Sequence, residues 1–176
     1  MNAIVSVCRD WGIGRRGELL VPNRADMRRF VDLTLGRGLA ADGGDAGGTV
    51  VMGRRTQQGL PGGRPLKGRR NIVLTRDADY APEGFEVVHD LDELDEALAG
   101  DDPERVWCIG GATVYEILLP ECEHAYVTMN ETVVDDADAF FPILDADPAW
   151  FVESHDGDGV TEDGVRYEFL TYTRDA

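Results

Sequence analysis

Asp26 is the acidic side chain best placed to handle a proton. It stands in a run, Arg24 to Thr34, whose apolar positions Met27, Phe30, Val31 and Thr34 form one helical stripe, with Asn23 as the expected N-cap. Next to Met27 and four residues before Phe30, its carboxylate falls on that stripe. An acid near a helix start gains about 0.3–1 kcal/mol from the helix dipole, so a capping role competes with a chemical one. In a closed site, desolvation costs several kcal/mol and outweighs that gain. The carboxylate then needs a cationic or hydrogen-bonding ligand, such as a protonatable heterocycle.

Two glycine-marked steps could hold phosphate. Gly110 and Gly111 follow an expected strand, Arg105 to Ile109, and precede a helical run from Ala112 to Leu119. Gly53-Arg54-Arg55-Thr56 follows the strand Thr49 to Met52 and adds two guanidiniums and a hydroxyl to a helix start. Glycine lets backbone approach a ligand closely, and a helix start offers unpaired amides. A tight turn with no ligand reads the same, but two such steps together suggest a dinucleotide. Neither matches the G-x-G-x-x-G fingerprint or a P-loop, which argues against an ordinary Rossmann enzyme or a nucleotide hydrolase.

Charge points the same way. The formal net charge is −17, and residues 1–76 carry 14 basic and 6 acidic side chains while residues 77–176 carry 3 and 28. Between 46 and 76 stand Arg54, Arg55, Arg64, Lys67, Arg69, Arg70 and Arg76 with no acid among them, the mark of an anionic ligand. The acidic remainder would repel a long polyanion, so a small phosphorylated or carboxylated molecule is expected rather than nucleic acid. Lys67 is the only lysine, and an acid-rich, lysine-poor surface suits molar salt, where the screening length falls to about 3 Å. A halophilic protein is the expectation.

The elements that must position these residues follow a β-α-β rhythm. Apolar, β-branched runs recur at Ala3 to Cys8, Thr49 to Met52, Asn71 to Thr75, Phe85 to Val88 and Arg105 to Ile109. Leu91, Leu94 and Leu98 stripe a second helix of structural role. Trp150 to His155 and Val165 to Thr173, joined by a Gly- and Asp-rich stretch, read as a terminal antiparallel hairpin. The expected α/β architecture is one domain over 1–176, mainly parallel, with an antiparallel edge and helices on both faces. At this length a single core can bury roughly 70% of the unfolded surface. Residues 36–48 hold six glycines and read as a mobile surface insertion.

Cys8, Cys108 and Cys122 are odd in number and set in apolar segments, so buried free thiols are expected. His89, His124 and His155 show no metal-binding spacing, and no metal is expected. No apolar run approaches a membrane span or a signal-peptide core. A cytoplasmic monomer working on a small molecule is expected, with neither nucleic acid nor membrane as partner.

The chain resembles dihydrofolate reductase. The resemblance is carried in order by Trp11-Gly12-Ile13-Gly14, Ala25-Asp26 with Phe30, Val50 to Arg54 with Thr56, Gly63 to Leu66, Gly68-Arg69, Asn71-Ile72, Ile109-Gly110-Gly111-Ala112 with Tyr115, and Tyr126-Val127-Thr128. It implies a single-domain dihydrofolate reductase-like fold with a central sheet of about eight strands, and NADPH-dependent reduction of 7,8-dihydrofolate to tetrahydrofolate. Hydride would pass to C6 and a proton to N5, in tetrahydrofolate biosynthesis and one-carbon metabolism. By that similarity Asp26 would bind the pteridine N3 and 2-amino groups and promote N5 protonation through water, with Thr128 hydrogen-bonded near it. Val5, Ser6, Phe30, Leu60 and Ile109 would line the substrate, and Arg69 would pair with the α-carboxylate of its glutamate tail.

The same resemblance places Arg54, Thr75 and Arg76 at the 2'-phosphate side of NADPH, and Gly53, Arg55 and Thr56 at its pyrophosphate. Gly110, Gly111, Ala112, Thr113, Val114 and Tyr115 would take the other side of the pyrophosphate, the two glycines through a cis peptide. Ser6, Ile13 and Gly14 would meet the nicotinamide. Three departures stand out. Val21 occupies the region of a usual tryptophan that holds an ordered water, Gln57 replaces a usual aromatic, and the loop Gly59 to Gly63 is about two residues longer. The segment Cys8 to Asn23, with Gly12, Gly14 and Gly17, reads as a lid. Two alternatives stay open: the NADPH-dependent pyrimidine reductase of riboflavin synthesis, which shares the fold, and a non-catalytic folate- or dinucleotide-binding protein.

Overall fold

The computed structural model describes residues 1–37 and 47–175, so most of the expected insertion lies outside the described residues. In chain order the elements are β1 (Asn2–Cys8), β2 (Gly12–Arg15), β3 (Glu18–Leu19), α1 (Arg24–Thr34), β4 (Thr49–Gly53), α2 (Arg54–Gly59), β5 (Arg70–Leu74), β6 (Glu86–Val88), α3 (Leu91–Leu98), β7 (Val106–Cys108), α4 (Ala112–Leu118), β8 (His124–Asn130), β9 (Ala139–Phe140), β10 (Trp150–Val160) and β11 (Arg166–Arg174).

Eight strands form one sheet in the order β10-β11-β8-β1-β7-β4-β5-β6. The pairs from β8 to β6 are parallel, and β11 joins β8 and β10 antiparallel. Strands covered on both faces must be apolar on both, which is why Val50, Val51 and Met52 run without alternation and are fully buried. Alternate residues of β1 divide the core. Ala3, Val5 and Val7 pack with Leu94 of α3 and Leu118 of α4 on one face. Ile4 packs with Val50, Met52, Val73 and Trp107 on the other, where Phe30 and Leu33 of α1 close over them. Helices therefore cover both faces.

β1 pairs with β8 over seven residues but with β7 only through Asn2 and Ala3. Past Ala3, whose partner Cys108 is the last residue of β7, β1 has no ladder partner on that side; a crevice at the carboxyl ends of the strands is where open α/β sheets bind ligands.

Four expectations need correction. β8 is the central partner of β1 although no apolar run announces it, because Thr128 and Asn130 interrupt it. The glycine-rich segment after β1 is not a bare loop, since β2, β3 and β9 form a small second sheet in the order β3-β2-β9. β10 continues through the Gly- and Asp-rich stretch to Val160, because an exposed edge strand needs no apolar alternation. Met27 is half-exposed, and the inward face of α1 runs through Asp26, Phe30, Leu33 and Thr34 instead.

The three cysteines are buried free thiols. Burial pushes Cys8 up to about 11 and Cys122 up to about 12, so neither forms a thiolate at neutral pH. Among the described residues no helix is long and apolar enough to cross a membrane.

Candidate active site

Asp26 occupies the first turn of α1, where its backbone N–H donates to the Asn23 side chain at 3.1 Å. The residue is partly buried, and its carboxylate faces β8, where the Thr128 hydroxyl donates to Oδ1 at 2.7 Å. Oδ2 has no hydrogen-bond partner among the described residues. Burial pushes the Asp26 carboxyl above the usual carboxylate range, while the Thr128 hydrogen bond and the charge of Arg29 pull it back. A half-satisfied, desolvated carboxylate at the mouth of the crevice is suited to bind a donor-rich, protonatable ring.

Asn130, which sequence reasoning did not single out, braces this corner from within. Its amide donates to Ser6 Oγ and to Val7 O, both at 2.9 Å, and its oxygen accepts from Asn23 at 3.3 Å. The N-cap of α1 is thus fastened through two buried asparagines to the strand that carries Ser6. A polar residue in a buried strand was the available signal.

Phe30, Leu60 and Ile109 all pack on the cluster around Ile4 and Trp107 and share one wall. The Val5 side chain points into the opposite cluster, so on this side of the sheet Val5 offers only its backbone. Arg69 lies across the outer end of that wall, with its guanidinium 5.9 Å from the Phe30 ring and donating to Thr34 Oγ1 at 2.9 Å. Partial burial and the like charge of Arg37 both weigh against the Arg69 cation. An anionic group there would relieve both, and Arg37 is a second residue that pattern reading had missed.

The two glycine-marked helix starts lie side by side. Gly53 N–H donates to Gly110 O at 2.8 Å, and Gly110–Gly111 is a cis peptide. A Cβ on Gly53 would lie 2.9 Å from Val114 Cγ2, and one on Gly110, whose φ is +112°, would lie 3.0 Å from the Tyr115 ring. A Cβ on Gly111 would reach to 3.6 Å from Thr56 Oγ1, which puts that hydroxyl at the junction of α2 and α4. Ala112 and Thr113 open α4, whereas Val114 and Tyr115 are buried in the core below it. The Tyr115 hydroxyl donates to Ile4 O at 2.7 Å, which anchors α4 to β1 at the crevice.

Arg54, Arg55 and Arg76 are exposed around this junction, and Thr75 directly follows β5, its N–H donating to Val88 O at 3.0 Å. Arg54 donates to Asp77 at 2.9 Å and lies 5.1 Å from the Tyr80 ring centroid. Tyr80 in turn donates to Gln57, whose amide donates to Gly63 O at 3.0 Å and so fastens the segment from Gly59 to Gly63. On the other side of the crevice Ile13 and Val21 are buried, with Gly14 between β3 and β9. Paired helix starts, glycines where a Cβ would collide, a hydroxyl and a basic rim fit a dinucleotide diphosphate.

A family model described as dihydrofolate reductase matches residues 1–174. The dihydrofolate reductase of Mycobacterium leprae is 38% identical over 171 residues, covering 92% of this chain and 90% of its own length. That of Mycobacterium tuberculosis strain H37Rv is 36% identical over 165 residues, with the same coverage. That of Gallus gallus is 33% identical, covering 99% of this chain and 96% of its own. Among solved structures, a dihydrofolate reductase from Enterococcus faecalis complexed with NADP(H) and RAB-propyl superposes with a TM-score of 0.81 at 31% identity, covering 99% of this chain and 96% of that one.

Proposed function

Because the chain belongs to the dihydrofolate reductase family, we propose that Asp26 is the acidic group through which it carries out NADPH-dependent reduction of dihydrofolate, acting over 1–176 as one catalytic domain. NADPH supplies the hydride when bound. The observation that supports Asp26 is its geometry, with one oxygen held by Thr128 and the other open to the crevice.

In this reading Oδ2 accepts hydrogen bonds from the pteridine N3 and 2-amino groups. The anion so held favours arrival of a proton from water at N5. Thr128 keeps the carboxylate from rotating, and its hydrogen bond favours the anion against the opposing effect of burial. Phe30, Leu60 and Ile109 exclude water from one face of the ring, and Arg69 takes the α-carboxylate of the glutamate tail in a charge-assisted fork. The backbone of Val5 and Ser6 borders the substrate, and that of Ser6, Ile13 and Gly14 the nicotinamide. Gly53, Arg55, Thr56, Gly110, Gly111, Ala112 and Thr113 hold the pyrophosphate, with Val114 and Tyr115 supporting them from the core. Arg54, Thr75 and Arg76 receive the 2'-phosphate side. These groups contribute by positioning, since hydride transfer needs donor and acceptor carbons at near-attack distance in a site short of water. The acidity of the chain supports function in molar salt.

The test is oxidation of NADPH with dihydrofolate in molar KCl, comparing wild type with Asp26→Asn across pH. The variant should lose activity at neutral pH and regain part of it in acid, where solution chemistry protonates N5. An Asp26→Asn enzyme with wild-type rates throughout would remove Asp26 from the mechanism.

A further inference from the structure

We infer that Arg29 is a positioning residue for Asp26, aimed by Asp156, and that this clamp sets both the geometry and the charge of the site. The inference rests on the reading of Asp26 given above. Arg29 lies one turn beyond Asp26 on α1, and its side chain crosses from the helix to the sheet. One nitrogen donates to Val127 O at 3.3 Å, one residue before Thr128, and another donates to Asp156 Oδ2 at 2.8 Å. The guanidinium stands 4.6 Å from the Phe169 ring centroid and 5.7 Å from that of Tyr126. Only 13% of the side chain is exposed. A guanidinium taken so far out of water needs partners, and here Asp156 meets its charge while Val127 O takes a second N–H.

Asp156 is held as deliberately. It is the extra residue between the register pairs His155↔Leu170 and Gly157↔Phe169, a bulge in β10. A bulge re-aims a side chain, and this one turns a carboxylate toward α1. Ser154 donates to its Oδ1 at 2.6 Å, and Thr171 donates to its Oδ2.

Two consequences follow for Asp26. Arg29 fastens α1 to β8 beside the very residue that donates to Asp26, so it sets the span of the Thr128 hydrogen bond. Its cation also favours the Asp26 anion, and Asp156 tempers that effect by neutralising part of the charge. The other groups facing Asp26 are the neutral Thr128 hydroxyl of β8 and the buried Tyr115 phenol of α4. Arg29 faces Asp156 of β10 and the Tyr126 phenol of β8, with Arg28 and Asp32 of its own helix along the outer groove.

The experiment follows the Asp26 carboxyl carbon by NMR across pH, with its signal assigned by difference from Asp26→Asn, together with kcat and KM for dihydrofolate. Arg29→Met should raise the Asp26 titration by about one pH unit and lower kcat/KM about tenfold. Asp156→Asn keeps the acceptor for Arg29 and removes the opposing charge, so it should shift the titration down. Arg29→Lys, which keeps the charge, should titrate near wild type and serves if Arg29→Met does not fold. A purely structural clamp would lower stability in every variant and leave the titration in place, and that outcome, or shifts of the same sign in Arg29→Met and Asp156→Asn, overturns the inference. Full activity and an unaltered pH profile in Asp26→Asn would instead overturn the reading of Asp26, so the two failures are distinct.

Discussion

At Asp26 opposing forces meet on one carboxyl group. Burial raises its proton affinity, and Thr128 and Arg29 lower it, with burial the largest. A folded carboxyl that holds its proton more tightly than in the unfolded chain makes stability fall as pH rises through the window above the ordinary carboxylate range. Ionising the group in the fold therefore costs stability. Asp26→Asn, which carries no charge at any pH, should accordingly gain on wild type in thermal stability as pH rises through that window. That advantage should shrink as pH falls and the wild-type group takes up its proton. Thermal melts at several pH values measure it, and an Asp26→Asn protein that loses ground to wild type as pH rises would contradict the sign. Of the two sequence readings of Asp26, cap and reagent, the first falls to Asn23, whose side chain accepts from the Asp26 amide, while the Asp26 carboxylate accepts from Thr128.

The starts of α2 and α4 are packed so closely at Gly53 that one methyl group separates a binding cradle from a collision. Gly53 has an ordinary φ of −81°, so alanine there brings no backbone strain, only a Cβ 2.9 Å from Val114 Cγ2. Gly53→Ala should destabilise by about 1–3 kcal/mol and weaken NADPH binding more than dihydrofolate binding. Fluorescence titration with each ligand separates the two, and equal losses would show that the wedge disturbs the whole domain instead. These two helix starts were readable in the order of residues, as glycine-marked steps from strand to helix with a basic run at one of them, although a tight turn without a ligand reads the same. The buried strands β1, β4, β5 and β7 were readable for a similar reason, their apolar runs. β8 was not, since Thr128 and Asn130 serve the site and break the hydrophobic pattern. β2 hid its strand character because two of its four residues are glycine. Met27 misled the reading of α1 because an apolar residue beside the inward face shifts the apparent stripe by about 100°. Arg29 and Asp156 left no trace at all, since the bulge that brings them together is set by pairing between β10 and β11 and by no local signal.

Over the whole molecule a basic segment at the crevice is set against a strongly acidic remainder, for a formal charge of −17. Self-repulsion on that scale destabilises the compact state, and salt relieves it. Raising KCl from dilute to molar should increase stability by about 2–3 kcal/mol, or roughly 5–10 °C in Tm at this chain length. A melting temperature that stays flat or falls with KCl would show that the acids are not under repulsive stress. Salt at such levels would also be expected to strip anionic ligands from a basic rim, and here the pairing of Arg54 with Asp77 matters. Asp77 is a resident counter-ion of Arg54, so on the proposed reading a phosphate arriving there would exchange with a carboxylate and not meet a bare charge. Dissolved ions weaken the incoming and the outgoing partner alike. On the proposed reading, the affinity of that corner would thereby be buffered against the ionic strength of its surroundings.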